Sequence, residues 1–421
     1  MTAEYEVAVV GAGAAGLSAG EALRQAGIDY VVLEASNRLG GRSWTDHGTF
    51  PGIPFDRGCH WLHSASINPL RAFADRQGLA YDTGFSFDDR AHFMGAERVS
   101  QETEREIEAA LEDAFEIIAD NLAEDRQGEG SDLATSDLVE DSSPWYALFE
   151  DKFSLMTSGT PSTVSALDFA RSRDTYQDYP VEDGLGHLIL EHAQHVEVRP
   201  NTAVNSIDWS GKRLALGTNQ GTLRAQAVIV TASTSVLADR AIRFTPELPE
   251  ATGSALEACR LGCYEKVGLL LDAPLVGLPH CITTIDPNGE RSPLSFVINP
   301  FGRAMVVAEV GGAYAQSLIE EGTAAVLDHA VESLAGALGS GIKAKIRQSL
   351  VTDWRHDPWI RGAYSHARPG HAHKRSALSA PIGERIFLAG EATTEFYFAS
   401  CHGAHMSGLT AAEKAIAVVR A

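Results

Sequence analysis

The residues Gly11-Ala-Gly13-Ala-Ala-Gly16 have the spacing G-x-G-x-x-G, which builds a turn able to hold a pyrophosphate. The first glycine permits the tight turn, the second lets the phosphates approach the backbone, and the third lets helix and strand pack closely. N–H groups at the helix N-terminus then face the phosphates. Glu34 follows Gly16 by eighteen residues, the place for a carboxylate that accepts hydrogen bonds from ribose hydroxyls. This fingerprint alone does not separate FAD from NAD. The next stretch, Arg38-Leu-Gly-Gly-Arg42, points to FAD: its glycines allow a second close backbone approach, and Arg42 can pair with the pyrophosphate. At the other end of the chain, Leu388-Ala-Gly390-Glu391 puts a carboxylate just past a short apolar run. Gly403 then begins a helix whose positive end suits a group that gains negative charge on reduction.

Other reactive side chains sit in apolar surroundings. Lys266 leads into the run Val267 to Leu271, where a charge points either to solvent or into a cavity. His63 lies in Gly58-Cys-His-Trp61-Leu-His63, and is either a proton acceptor in a site or a hydrogen-bonded structural histidine. Tyr364 offers an aromatic face that stabilises positive charge, with core packing as the alternative. No H-x-x-x-H or C-x-x-C grouping suggests a metal.

The elements that position these groups are readable from periodicity. Glu6 to Val10 is a buried parallel strand, Leu17 to Ala26 a helix closed by Gly27, and Tyr30 to Leu33 a second strand, one βαβ unit. Ile107, Leu111, Ala114, Phe115, Ile118 and Leu122 recur at helical spacing and predict a long amphipathic helix with an acidic outer face. Gln127 to Ser143 reads as a loop or lid. Val196 to Thr231 reads as an antiparallel meander with turns at Ser210-Gly211 and Gln220-Gly221, returning to the first sheet. Arg385 to Gly390 is a further buried strand, and Gly403 to Val419 a closing helix.

The chain has 421 residues, 44% hydrophobic and 21% charged, ordinary for a globular protein. Its formal net charge is −22, and between Glu102 and Asp141 fifteen acidic residues stand against only Arg105 and Arg126. That excludes nucleic acid as an expected partner, since phosphate binding needs a basic surface. The acidic run is either a solvated helix face or a field that draws cations. No uninterrupted apolar window of about 18 residues predicts a membrane span, and the motif starting at Val7 leaves no room for a signal peptide. Five cysteines, an odd number without paired spacing, fit reduced thiols of a cytoplasmic protein.

In order along the chain, VAVVGAGAAGLSA, EASNRLGGR, DRGCHWLHSASINPL, GCYEKVGLLL, WRHDPWIRGAYSHARPG, LAGEATT and HGAHMSGLTAA resemble the flavin-containing amine oxidase family. The likeness spans nearly the whole chain and is weakest over residues 75–180. It implies an α/β fold: a Rossmann-like FAD-binding domain (1–70, 190–262 and 355–421) with an interleaved α+β substrate-binding domain (71–189 and 263–354). It also implies a water-linked contact of Lys266 with flavin N5, an aromatic cage wall at Tyr364 with Trp354 near the ring, and His63 near the substrate amine. Val204, Ser400, Cys401 and Ala404 join the cofactor set. Ala363 replaces the cysteine of covalent monoamine oxidases, so FAD should be non-covalent. Ser400 replaces the second cage tyrosine.

The activity implied is hydride transfer from an amine α-carbon to flavin, with the imine hydrolysed and dioxygen giving hydrogen peroxide. The substrate expected is a small aliphatic amine or polyamine, in a monomer or homodimer. A desaturase or isomerase of the same fold, an amino acid oxidase using Arg361 or Arg368, and a flavin-bearing interaction protein are the rivals.

Overall fold

The computed structural model describes residues 3–126 and 131–421. Its first sheet has eight strands. Ala3–Val10 runs parallel to Tyr30–Leu33 on one side and to Gly221–Val230 on the other. Val7 to Val10 are buried, as a strand covered on both faces requires. The helix Ala14–Gln25 crosses between the first two strands and packs against the closing helix Cys401–Arg420. A Cβ at Gly408 would stand 2.1 Å from the Ala15 carbonyl oxygen, so only glycine permits this approach. Ile386–Leu388 joins the sheet beside Gly221–Val230, bringing the end of the chain to the opening motif.

The meander is shorter than the sequence predicts. It comprises Val204–Asp208, Leu214–Thr218 and Gly221–Val230, while Val198–Arg199 pairs in parallel with Tyr30–Leu33 instead. Residues 127–130 of the expected loop lie outside the described residues. Beyond them, Thr135–Leu138 is a short helix rather than loop, and Asp132 tethers the segment to Ser165 Oγ (2.5 Å) and the Ala372 N–H (2.7 Å).

The second sheet has seven strands, in the order Ile346–Val351, Tyr264–Leu271, Met305–Gly311, Leu294–Ile298, Cys281–Ile285, Arg90–Met94 and Glu97–Arg98. Its pairs are antiparallel except for Cys281–Ile285 with Arg90–Met94. Lys266 sits directly opposite Glu309 in this register. The amphipathic helix runs Gln101–Arg126, burying Ile107, Leu111, Ala114 and Ile118 against Leu148, Phe149 and Phe153. Among the described residues, no helix is long and apolar enough to cross a membrane.

Candidate active site

A cavity of about 1020 Å³ runs from the glycine turn to the second sheet. At the glycine end, Gly11 has φ +101°, and a Cβ on Gly16 would stand 1.9 Å from the Gly11 oxygen. The strand-to-helix turn therefore exists only with glycine at both positions. Gly13 caps the helix Ala14–Gln25, whose first N–H groups border the cavity. Glu34 is buried at the end of the second strand. Its Oε2 accepts the Ala12 N–H at 2.7 Å, and its Oε1 accepts the Ser36 N–H (2.9 Å) and Oγ (2.8 Å). It still lines the cavity, as do Val204, Trp354, Ser400, Cys401 and Ala404.

Arg42 has a protein partner as well as a cavity face. Its Nη1 donates to Glu391 Oε1 at 2.9 Å and to the Ala363 carbonyl at 2.6 Å. Its Nε and Nη2 have no protein partner among the described residues, so donors remain for a pyrophosphate. Burial works to raise the Glu391 pKa, but Arg42, Ser365 and Arg375 outweigh it and hold the carboxyl below its usual range. At Gly390, with φ +140°, a Cβ would meet no atom within 4 Å, in line with a cradle kept open for a ligand. Helix N-terminus, free guanidinium donors, buried acid and open glycine together fit FAD.

At the far end Tyr364 lines the cavity and donates its hydroxyl to the Leu155 carbonyl. Its ring lies 5.6 Å from that of Tyr264, at 50°, so the second aromatic here is Tyr264. Ser400 instead caps the helix Cys401–Arg420, accepting the Gly403 N–H at 3.0 Å. Trp354 donates Nε1–H to the Arg57 carbonyl at 3.0 Å and packs edge-on to Trp44.

Lys266 points neither to solvent nor into the cavity. It is fully buried behind the wall, and its ammonium donates to the carbonyls of Gly58 (2.6 Å) and Asp56 (3.2 Å) and contacts His60 Nδ1. Burial lowers its pKa, opposed by Glu309 and Asp56. His60 does line the cavity; burial and Lys266 hold its pKa well below the usual value, so the ring is neutral. Its Nε2 lies 3.3 Å from Glu309, which accepts the Tyr264 hydroxyl at 2.7 Å. Lys266, His60, Glu309 and Tyr264 thus form one polar chain along the cavity wall.

His63 lines the cavity with Nδ1 2.7 Å from Asp178 Oδ1. Burial pushes its pKa down, yet Asp178 and Asp174 prevail and raise it. His63, Asp174 and Asp178 place potential metal ligands within 4.8 Å of one another. Hydrogen bonds already account for that grouping, since Asp174 accepts Ser64 Oγ and the Tyr176 N–H. Of the two arginines considered for a substrate carboxylate, Arg361 pairs with Asp239 at 2.8 Å and Arg368 does not line the cavity.

Sequence reading missed Glu309, Tyr264 and Asp178. Glu309 was detectable by the argument used for Lys266, a charge inside an apolar strand, here Met305-Val-Val-Ala-Glu-Val-Gly311. Nothing local marks Asp178.

Fold and cavity define a two-sheet protein with a dinucleotide-binding cradle. The family model for flavin containing amine oxidoreductase matches residues 14–416, and the chain belongs to that family. It is 25% identical over 442 residues to human lysine-specific histone demethylase 2, covering 97% of this chain but 53% of that protein. It is 26% identical over 451 residues to polyamine oxidase 4 of Oryza sativa subsp. japonica, covering 97% and 88%. Among solved structures, putrescine oxidase bound to putrescine matches with a TM-score of 0.79 at 22% identity, covering 99% and 100%. Cyclohexylamine oxidase from Brevibacterium oxydans matches with a TM-score of 0.80 at 21% identity, covering 99% of each chain. The chain spans about half the length of the demethylases it matches.

Proposed function

We propose that this chain is an FAD-dependent oxidase of small aliphatic amines or polyamines. One observation carries the reading: a single cavity joins the dinucleotide cradle at Gly11, Glu34 and Arg42 to an aromatic pair and a carboxylate at Tyr264, Tyr364 and Glu309. FAD, when bound, supplies the two-electron acceptor for the amine C–H bond, with dioxygen as terminal oxidant giving hydrogen peroxide. The faces of Tyr264 and Tyr364 orient the amine and favour its partial positive charge. Asp178 orients the His63 ring and strengthens it as the base that takes the ammonium proton. Lys266 acts from behind His60, setting that ring's charge rather than touching substrate.

The two sheets support the proposed division into a cofactor-binding part (1–70, 190–262 and 355–421) and a substrate-binding part (71–189 and 263–354). The helix Gln101–Arg126 turns Leu111, Phe115 and Ile118 to the cavity, so its acidic face stands next to a cavity wall and can draw cations inward. Five unpaired cysteines support a cytoplasmic location.

The test is peroxide release from putrescine, spermidine, benzylamine and leucine at low and high ionic strength. The proposal predicts higher kcat/KM for the aliphatic polyamines, weakened by salt. A preference for benzylamine or leucine without a salt effect on polyamines contradicts the substrate class.

A further inference from the structure

Beyond the aromatic pair the cavity reaches the helix Tyr146–Thr157, which presents Asp151 toward the strands Cys281–Ile285 and Leu294–Ile298. Asp151 Oδ2 accepts Ser295 Oγ at 3.1 Å, and that hydroxyl lies 3.2 Å from Thr283 Oγ1. The carboxyl is therefore held in place. Among the described residues, no cation forms an ion pair with it. Burial, reinforced by Glu309 and Glu150 and opposed by Ser295, pushes its pKa up to about 8.

The neighbouring groups are committed elsewhere or neutral. Lys152, on the same helix, lies over the Phe115 ring and is pushed down to about 8 by burial. Arg90 reaches Asp88 at 3.4 Å, and His92 pairs with Glu104 at 2.6 Å. Burial pushes Cys281 up to about 12, and Tyr264 lies well above its usual value. Glu309 differs from Asp151 because Lys266 stands close enough to interact with it. The helix Gln101–Arg126 turns apolar side chains to this part of the cavity. A buried carboxyl held by hydroxyls and raised by Glu309 and Glu150, with no cation paired to it among the described residues, is complementary to a cation that arrives with the ligand.

Resting on the amine oxidase reading, we propose that Asp151 is a specificity-determining residue: it receives the distal ammonium of a diamine or polyamine and releases its own proton to solvent as that ammonium binds. A monoamine with an apolar tail leaves the carboxyl protonated and is tolerated without reward. The step balances: a carboxylic acid and an ammonium become a carboxylate–ammonium pair, and one proton leaves. Below about pH 8 the affinity for a dication rises with pH, because the proton it displaces is held less firmly, and it levels off above that value.

Guanidines test this without turnover, since they stay charged throughout the range. The FAD-loaded enzyme is titrated with α,ω-diguanidinoalkanes of four to eight carbons and with length-matched monoguanidines. Flavin absorbance reports binding, and an indicator in weakly buffered solution reports protons. At pH 7 the best diguanidine should release close to one proton per molecule and the monoguanidine none. Asp151→Asn should abolish the release and weaken diguanidine binding at least tenfold, with monoguanidine binding changed less than twofold. No proton release from wild-type enzyme, or equal weakening of both ligands in Asp151→Asn, overturns the proposal; the wild-type arm needs no variant to fold. In parallel, kcat/KM is compared for diamines and n-alkylamines. Proton-linked dication binding in an enzyme that oxidises no amine refutes the oxidase reading alone. Diamine oxidation with an unchanged diamine preference in Asp151→Asn refutes Asp151's role alone.

Discussion

Arg42 Nη1 stands 2.9 Å from Glu391 Oε1, a bond that ties the second glycine loop to a segment 349 residues later. The same carboxylate accepts Ser365 Oγ at 2.7 Å and the Ala399 N–H at 3.0 Å. Ser365 Oγ in turn accepts Arg375 Nη1 at 2.8 Å. The cofactor cradle is thus held from both ends of the chain by one buried anion.

Glu391→Ala should cost about 3 kcal/mol of stability, as the loss of one partner of a buried pair does, and should weaken FAD binding at least tenfold. Because its folded-state pKa lies below 4.5, Glu391 contributes stability above about pH 4.5 that is lost as pH falls through the folded value. Melting curves of wild type and Glu391→Ala should therefore converge in acid. Parallel curves at all pH values would contradict this.

Arg375 and Asp168 form a second buried pair, 2.6 Å apart with side chains 1% and 3% exposed. Arg375→Met strands the Asp168 carboxylate and should cost about 3–5 kcal/mol in urea unfolding. Adding Asp168→Leu should recover part of that loss. A single variant as stable as wild type would show that the pair is not what anchors the Ala166–Arg171 helix.

Lys266→Met should keep FAD bound and slow flavin reduction or reoxidation by about 10–100-fold. Removing the ammonium also removes a charge that lowers the His60 pKa, so that value should rise and the pH profile of kcat should shift to higher pH. Stopped-flow traces with both half-reactions unchanged would leave Lys266 a structural residue.

FAD should come free in intact form when the yellow protein is denatured with acid or heat. Ala363 lines the cavity where a cysteine would be needed for a thioether, and alanine offers no nucleophile. Colour that stays with the precipitated chain would contradict this.

The cofactor end was legible because its requirements are local. Backbone approach demands glycine at fixed spacing, and the acid must end the second strand, so Gly11, Gly16 and Glu34 announce themselves. The far end of the cavity is assembled from segments far apart in sequence. His63 meets Asp178 across 115 residues, and Asp151 meets Ser295 across 144. No periodicity records such meetings. Ser400 shows a related limit: a small polar residue reads as a missing cage wall, while its geometry is that of a helix cap. Lys266 was found by its contrast with an apolar strand, but alternation could not foresee carbonyls of the 56–58 turn closing over it.

The most direct test of the central claim is anaerobic mixing of the purified, FAD-loaded protein with putrescine or spermidine while flavin absorbance is followed. The account predicts bleaching of the oxidised flavin band, and return of the colour with hydrogen peroxide when air is admitted. Flavin that stays oxidised with both of these amines and with monoamines of matched length would contradict it.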